Sequence, residues 1–244
     1  MAMMPERSRA ADPARVVVGL DGCPTGWVAV VLRGGRVEAV RVVGSIRETL
    51  DAVAAAHVGI DMPVGLVDGP RDTDAAARAL LPGRAASVFS TAARAVVEGF
   101  VAGAITSHAE ATARSVEVTG SGLSQQAWRL VPKMAEVEDL AASGVELTEV
   151  HPELAFATIV GEPLPRKRSW PGLMRRREVL AELGVELPTR FDGDTGAAPD
   201  DVVDAAICAW VADGLACGAS MRRVPERTDQ TAHGREIVIT VREA

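Results

Sequence analysis

The apolar positions near the start of the chain fall into three short runs separated by turn residues. Residues 16–22 read VVVGLDG, residues 27–32 read WVAVVL, and residues 36–43 read RVEAVRVV after a Gly-Gly pair. Short β-branched runs bounded by glycine-containing turns are typical of strands joined as hairpins. This pattern predicts a three-stranded antiparallel meander.

A helix and a fourth strand are predicted after the meander. Ser45 and Glu48 have the spacing of a capping box, and the apolar residues after them recur with a helical period until near His57. The next residues, VGID at 58–61, predict a strand. This order of elements differs from that of most doubly wound folds, which alternate strands and helices from the beginning.

The segment from about residue 63 to residue 147 is predicted to be a mainly helical insertion, followed by a fifth strand at 145–150. No repeat and no linker composition divides the chain, so we expect a flexible tail at 1–14 and one α/β domain over 15–244. The predicted helices after the first one span 72–81, 90–105, 124–142, 173–183 and 200–215, and residues 236–241 predict a last strand.

The composition limits the classes of protein to which the chain can belong. Hydrophobic residues make up 48% and charged residues 24%, as in globular proteins, and the net charge of −7 argues against binding nucleic acid through overall charge. Three cysteines without a C-x-x-C pair predict neither a disulfide framework nor a zinc knuckle. The start lacks a signal-peptide pattern, and the apolar stretch 201–221 contains Asp204 and Asp213, so we expect no membrane span and a cytoplasmic location.

Two aspartates stand where predicted strands end. Asp21 lies in GLDGCPTGW, and Asp61 lies in GIDMPVGL. If the first and fourth strands are neighbours, the two carboxylates meet at one edge of the sheet, where open α/β folds place their sites. Paired carboxylates suit Mg²⁺ or Mn²⁺, whereas either aspartate alone more commonly caps a turn or a helix.

A third group of acids, PDDVVDA at 199–205, opens the last long helix. Asp200 is predicted to be the N-cap, while Asp201 and Asp204 are three residues apart and share one face. Because the apolar sequence AAICAWVA follows Asp204, we expect its carboxylate to be buried and to need a metal ion or an arginine as partner.

Polar residues alternate in TEVHPELAF at 148–156. If this segment is extended, Glu149, His151 and Glu153 point to one face. His151 can then serve as a general base, a metal ligand or a hydrogen-bonded partner of Glu149, and the sequence leaves these roles open.

A cationic segment follows, in which Trp170 is interleaved. It can steer a phosphate backbone and stack a base, or it can be a solvated face that balances an acidic protein. The turn GSGLSQQ at 120–126, which contains Gln125, offers amides for a weak anion site but is explained equally well as a helix start. DGDTG at 192–196 has Val203 where a calcium loop needs an acid, so it predicts a turn. The cations of the segment are Arg166, Lys167, Arg168, Arg175, Arg176 and Arg177.

Several motifs together resemble one family. GLDGCPTGW, GIDMPVGL, RAASVF, GSGLSQQAWRLVPKMAEVE, EVHPELAF and PDDVVDAAICAW are similar, in order over about residues 15–215, to domain-of-unknown-function family 429 (DUF429). That bacterial and archaeal family is described as predicted nucleases with a ribonuclease H-like fold. The resemblance implies a mixed five-stranded sheet flanked by helices, with three antiparallel strands followed by parallel ones and with a helical insertion.

The resemblance also implies a site. The superfamily carries acids on the first strand, at the end of the fourth strand and on a late helix, which are the places of Asp21, Asp61, and Asp201 with Asp204. By analogy these four acids bind two Mg²⁺ or Mn²⁺ ions about 4 Å apart. Glu149 and His151 border them as catalytic residues. The cationic segment and the GSGLSQQ turn, and not the resemblance, give the expected substrate-binding residues, which are Arg166, Lys167, Arg168, Trp170, Arg175 and Gln125.

The sequence is therefore compatible with two functions. The first is a metal-dependent nuclease or phosphodiesterase whose substrate is nucleic acid or a nucleotide-like molecule. The alternative is a non-catalytic member that binds a small ligand or a protein, which the aromatic content of 3% favours. An actin-like ATPase needs two copies of the fold, so one copy in 244 residues argues against it. The oligomeric state stays open, a homodimer included.

Overall fold

The structure, a computed structural model, describes residues 12–191 and 196–243. Residues 1–11 of the predicted tail lie outside the described residues, and so does the predicted turn at 192–196 apart from Gly196.

A five-stranded mixed sheet with strand order β3-β2-β1-β4-β5 forms the centre of the molecule. The first three strands pair as antiparallel neighbours, whereas β4 is parallel to both β1 and β5. This arrangement confirms the predicted α/β fold with a ribonuclease H-like sheet. The strands are β1 (Val16–Cys23), β2 (Gly26–Arg33), β3 (Arg36–Val43), β4 (His57–Asp61) and β5 (Leu147–Glu149).

Helices cover both faces of the sheet, and four of them lie between β4 and β5, where the helical insertion was predicted. In the described part of the chain the helices are α1 (Ile46–Ala52), α2 (Asp72–Ala79), α3 (Arg94–Val101), α4 (His108–Thr119), α5 (Gln125–Ala142), α6 (Pro152–Val160), α7 (Trp170–Glu182) and α8 (Pro199–Cys217). None of them has both the length and the apolar character that crossing a membrane requires.

Two of these helices were not predicted from the sequence pattern. α4 carries clear end signals, because Ser107 and Glu110 form a capping box and Gly120 ends the helix with a left-handed backbone. α6 begins at Pro152, so the predicted extended segment ends at Glu149 instead of continuing to residue 156. Proline favours the first turn of a helix because the amide hydrogen it lacks has no partner there.

The chain after α8 forms short strands outside the central sheet. The predicted last strand at 236–241 is divided, because β8 (Arg235–Glu236) pairs with β7 (Thr231–Ala232) and β9 (Ile239–Arg242) pairs with β6 (Met221–Val224).

Two glycines allow α8 to lie directly on the sheet. A Cβ atom at Gly19 of β1 would lie 2.0 Å from a carbonyl oxygen of α8, and one at Gly59 of β4 would lie 2.3 Å from another. Any larger residue would push the helix away. Since side chains alternate along a strand, Asp21 and Asp61, two residues further on, lie on this same face.

Candidate functional site

Three carboxylates meet where β1 and β4 end. Asp21 and Asp61 are direct partners in the parallel register, and Asp204 lies in the second turn of α8. One carboxylate oxygen from each residue lies within 4.8 Å of the other two. The structure therefore brings together three of the four acids that the sequence placed in one site, and we call them the aspartate cluster.

The acids at the start of α8 have other contacts. Ala198, not Asp200, is the N-cap, and the Asp201 carboxylate accepts a hydrogen bond from the Ala198 amide at 2.9 Å. The prediction of Asp200 as the cap was wrong because an acid in the third helical position can reach back to the free amide. Asp201 lines the same cavity as the aspartate cluster, but its oxygens are not part of the close group.

Burial raises the pKa of each carboxyl group in the aspartate cluster. Asp21 and Asp204 are 7% and 1% exposed. Burial raises the pKa of Asp61 to about 6 and that of Asp204 to about 7. Burial, followed by the charges of Asp61 and Asp204, also raises the pKa of Asp21. The three acids therefore gain from a cation placed among them.

Lys167 supplies one positive charge to the cluster. Its Nζ donates a hydrogen bond to Oδ2 of Asp204 and lies 4.0 Å from Oδ2 of Asp200. Burial opposes its charged form, but the nearby aspartates raise the pKa of Lys167, so it stays protonated. The other oxygen of Asp204, Oδ1, is buried and has no hydrogen-bond partner among the described residues.

Glu149 and Glu153 lie nearby but are held by arginines. The two oxygens of Glu149 accept hydrogen bonds from Arg71 at 3.1 and 2.5 Å. Both oxygens of Glu153 contact Arg176 at 2.8 Å, and Arg84 lies 3.4 Å away. An arginine therefore compensates the negative charge of each glutamate, whereas the three acids of the aspartate cluster have no arginine of this kind in the described part of the chain.

His151 is the N-cap of α6 and does not bond to Glu149. Its Nδ1 accepts a hydrogen bond from the Leu154 amide at 3.2 Å, and the ring lines the cavity. Burial lowers the pKa of His151 to about 4, so the imidazole is neutral at physiological pH. With Nδ1 as acceptor, its proton is on Nε2.

The predicted cationic segment is not one continuous surface. Lys167 lines the cavity together with Arg166 and Arg168, whereas Arg176 is buried against Glu153. Arg175 pairs with Glu178 and Glu182 on the outside of α7. Trp170 is 74% exposed and does not line the cavity. Successive helical residues point about 100° apart, so α7 separates arginines that are adjacent in sequence.

Gln125 is the first residue of α5, behind the N-cap Ser124, so the GSGLSQQ turn does start a helix. The Gln125 amide contacts Nδ1 of His108 at 2.8 Å, and its neighbour Gln126 is the one that lines the cavity.

The cavity above the aspartate cluster has a volume of about 1190 Å³ and includes residues that the sequence reasoning missed. Arg84, Phe89, Arg129 and Lys133 all contribute to its walls. The sequence does contain a signal for the α5 residues. Residues three and four apart lie on one face of a helix, so the spacing of Gln126, Arg129 and Lys133 predicts a polar face on α5.

In a comparison with protein families, residues 19–230 match the model described as Protein of unknown function (DUF429). Searches among curated proteins and among solved structures gave no match.

Proposed function

The chain belongs to the DUF429 family, because the family model matches residues 19–230, and from its site we propose a divalent-metal-dependent hydrolase of phosphodiesters. Its substrate is nucleic acid or a nucleotide-like molecule, so it is a nuclease or a phosphodiesterase. The observation that carries this proposal is the aspartate cluster of Asp21, Asp61 and Asp204, whose oxygens lie within 4.8 Å of one another.

The cluster fits a hard divalent cation. Carboxylate oxygens are the ligands that Mg²⁺ and Mn²⁺ prefer. Asp21 and Asp204 are buried, Asp61 is half-buried, and the three acids share the charge of Lys167. Oδ1 of Asp204 has no partner among the described residues, so the charge of the cluster is only partly compensated. Asp21, Asp61 and Asp204 would hold the ion, with Asp201 on the adjoining wall. Bound there, such an ion supplies an activated water and neutralises charge on the phosphate.

The remaining site residues have roles that follow from their contacts. The ammonium group of Lys167 lies at the cluster and would attract a substrate phosphate oxygen. His151 keeps its proton on Nε2 while Nδ1 accepts from the Leu154 amide, so it would not remove a proton from the substrate. Glu149 and Glu153, held by their arginines, would fix the walls of the site.

Removing one ligand tests the proposal. We expect Mn²⁺ to raise the melting temperature of the wild-type protein, because an ion that binds the folded state at 100 times its Kd stabilises it by about 2.7 kcal/mol. Asp21→Asn should lose both this shift and Mn²⁺-dependent hydrolysis of phosphodiesters. Asp139→Asn, which changes an exposed acid on α5, is the matched control and should retain both. An Asp21→Asn protein with undiminished shift and hydrolysis would contradict the proposal.

One observation favours the non-catalytic alternative, in which the protein binds a ligand without cleaving it. Lys167 already places a cation against Asp204, so the cluster is partly neutralised without a metal ion. If Mn²⁺ leaves the melting temperature unchanged while anionic metabolites raise it, the binding function replaces the hydrolase.

A further inference from the structure

The walls of the cavity decide which substrates can reach the aspartate cluster. Asp21 and Asp204 are buried, and the cavity of about 1190 Å³ above the cluster is larger than the roughly 300–1,000 Å³ of pockets that enclose a small molecule. Several walls come from the chain between β4 and β5, including the short 3₁₀ turn Ala85–Ser87 and α5. A phosphodiester must therefore pass between these side walls to reach the carboxylates at the bottom.

α5 presents a cationic stripe to this space. Gln126, Arg129 and Lys133 lie on one helical face and all line the cavity. Lys133 is held in place, because its Nζ donates a hydrogen bond to the carbonyl of Gly26 and lies 4.6 Å from the centre of the Trp27 ring. Arg129 is exposed and has no carboxylate partner among the described residues.

Most other arginines of the cavity are already paired with acids. Arg71 and Arg84 contact Glu149 and Glu153, respectively. Arg168 contacts Asp200 at 3.3 Å. Within the described part of the chain, Arg129 and Lys133 form no ion pair, so the stripe on α5 provides positive charge in the same cavity as the acids.

Phe89 is the aromatic side chain that lines the cavity within the described part of the chain. It is half-buried and packs against the core. Aromatic rings next to cationic side chains are the parts from which sites for single-stranded nucleic acid are made, because bases stack on the ring while cations contact the backbone.

We infer that the substrate is a short single-stranded oligonucleotide or a strand end, with its backbone on Arg129 and Lys133 and a base against Phe89. This inference rests on the proposed hydrolase function and narrows its substrate class. A single strand can bend and splay its bases into a walled cavity, whereas a base-paired, stacked duplex cannot follow it to buried carboxylates.

Fluorescence anisotropy with labelled hexathymidylate and with a blunt DNA duplex tests the inference. Ca²⁺ replaces Mn²⁺, and a gel checks that the oligonucleotide stays intact. We expect hexathymidylate to bind more tightly than the duplex, and Arg129→Ala to weaken its binding about tenfold, the worth of one charge-assisted hydrogen bond. Arg47→Ala, which removes the same charge from an exposed position on α1 outside the cavity, should leave binding unchanged.

Phe89→Leu keeps an apolar side chain in the core but removes the ring. It should weaken binding about fivefold, at the lower end of the loss for one stacked base, with little change in melting temperature. Equal binding of the duplex and hexathymidylate, or equal behaviour of Arg129→Ala and Arg47→Ala, overturns the inference. Duplex hydrolysis in Mn²⁺ that is insensitive to Arg129→Ala overturns it while the hydrolase function stands. Arg129-dependent binding of hexathymidylate without hydrolysis in Mn²⁺ supports the binding site and overturns the hydrolase.

Discussion

Two groups of buried acids line the same cavity, and they are neutralised in opposite ways. Glu149 and Glu153 each bind an arginine through both carboxylate oxygens. The aspartate cluster has three carboxylates around Lys167, and one buried oxygen has no partner among the described residues.

The two paired glutamates stabilise the fold, whereas the acids of the aspartate cluster are available to a ligand. Glu149 connects the end of β5 to Arg71, which precedes α2, and Glu153 connects α6 to α7 through Arg176. Removing one partner of such a pair leaves an uncompensated buried charge. In the aspartate cluster Lys167 compensates only part of the negative charge, so a bound cation would interact favourably with the rest.

The largest effect on stability is expected when an arginine that pairs with a buried glutamate is removed. Arg176→Met should lower the free energy of unfolding by about 3–5 kcal/mol, because Glu153 would stay buried with only Arg84 near it. Arg175→Met, on the outside of α7, should change it by no more than about 0.5 kcal/mol. Urea unfolding measures both. A loss for Arg176→Met as small as that for Arg175→Met would show that Glu153 does not depend on its arginine.

In the aspartate cluster, Asp204→Asn should change the free energy of unfolding of the metal-free protein by about 1 kcal/mol or less. The lost hydrogen bond with Lys167, worth about 1 kcal/mol net, is offset because a charge is no longer buried. Burial raises the pKa of Asp204 to about 7, so the measurement belongs above neutral pH, where the wild-type carboxylate is charged. A loss as large as that of Arg176→Met would make Asp204 a structural ion pair and would end the distinction between the two groups.

The smallest effect concerns His151, which stands between the two glutamates in sequence. Burial lowers the pKa of its imidazole from 6.5 to about 4. Between these values the unfolded chain binds the proton and the folded chain does not, so this group's contribution to stability falls as the pH falls from 6.5 to 4. His151→Asn keeps an acceptor for the Leu154 amide and should show a weaker loss between pH 7 and about pH 5. Urea unfolding at both pH values compares the two proteins, and identical slopes would exclude His151 as a source of the pH dependence.

The central sheet could be predicted well from the sequence because short runs of neighbouring residues specify its strands and turns. Turn residues separate the runs that become β1, β2 and β3, and the order of elements makes β4 a neighbour of β1. Parallel neighbours end at the same edge, so the meeting of Asp21 and Asp61 followed from that order. Asp204 followed from its place in an apolar helix, where a buried acid needs a partner.

The rest of the site depended on contacts between distant residues. Arg71 and Glu149 are 78 residues apart, and no local pattern shows that they meet. For the same reason the sequence could not show that Lys133 of the insertion lines the cavity of the aspartate cluster, or that Arg176 of the cationic segment is buried against Glu153.

The sequence by itself determined the strands of the central sheet, most helices and the places of the acids on these elements, because these follow from local periodicity and turn chemistry. Only the tertiary structure decided which acids are paired. Charge compensation depends on distances of a few ångströms between segments far apart in the chain, and those distances are set by packing, as where Gly19 and Gly59 let α8 bring Asp204 onto the sheet.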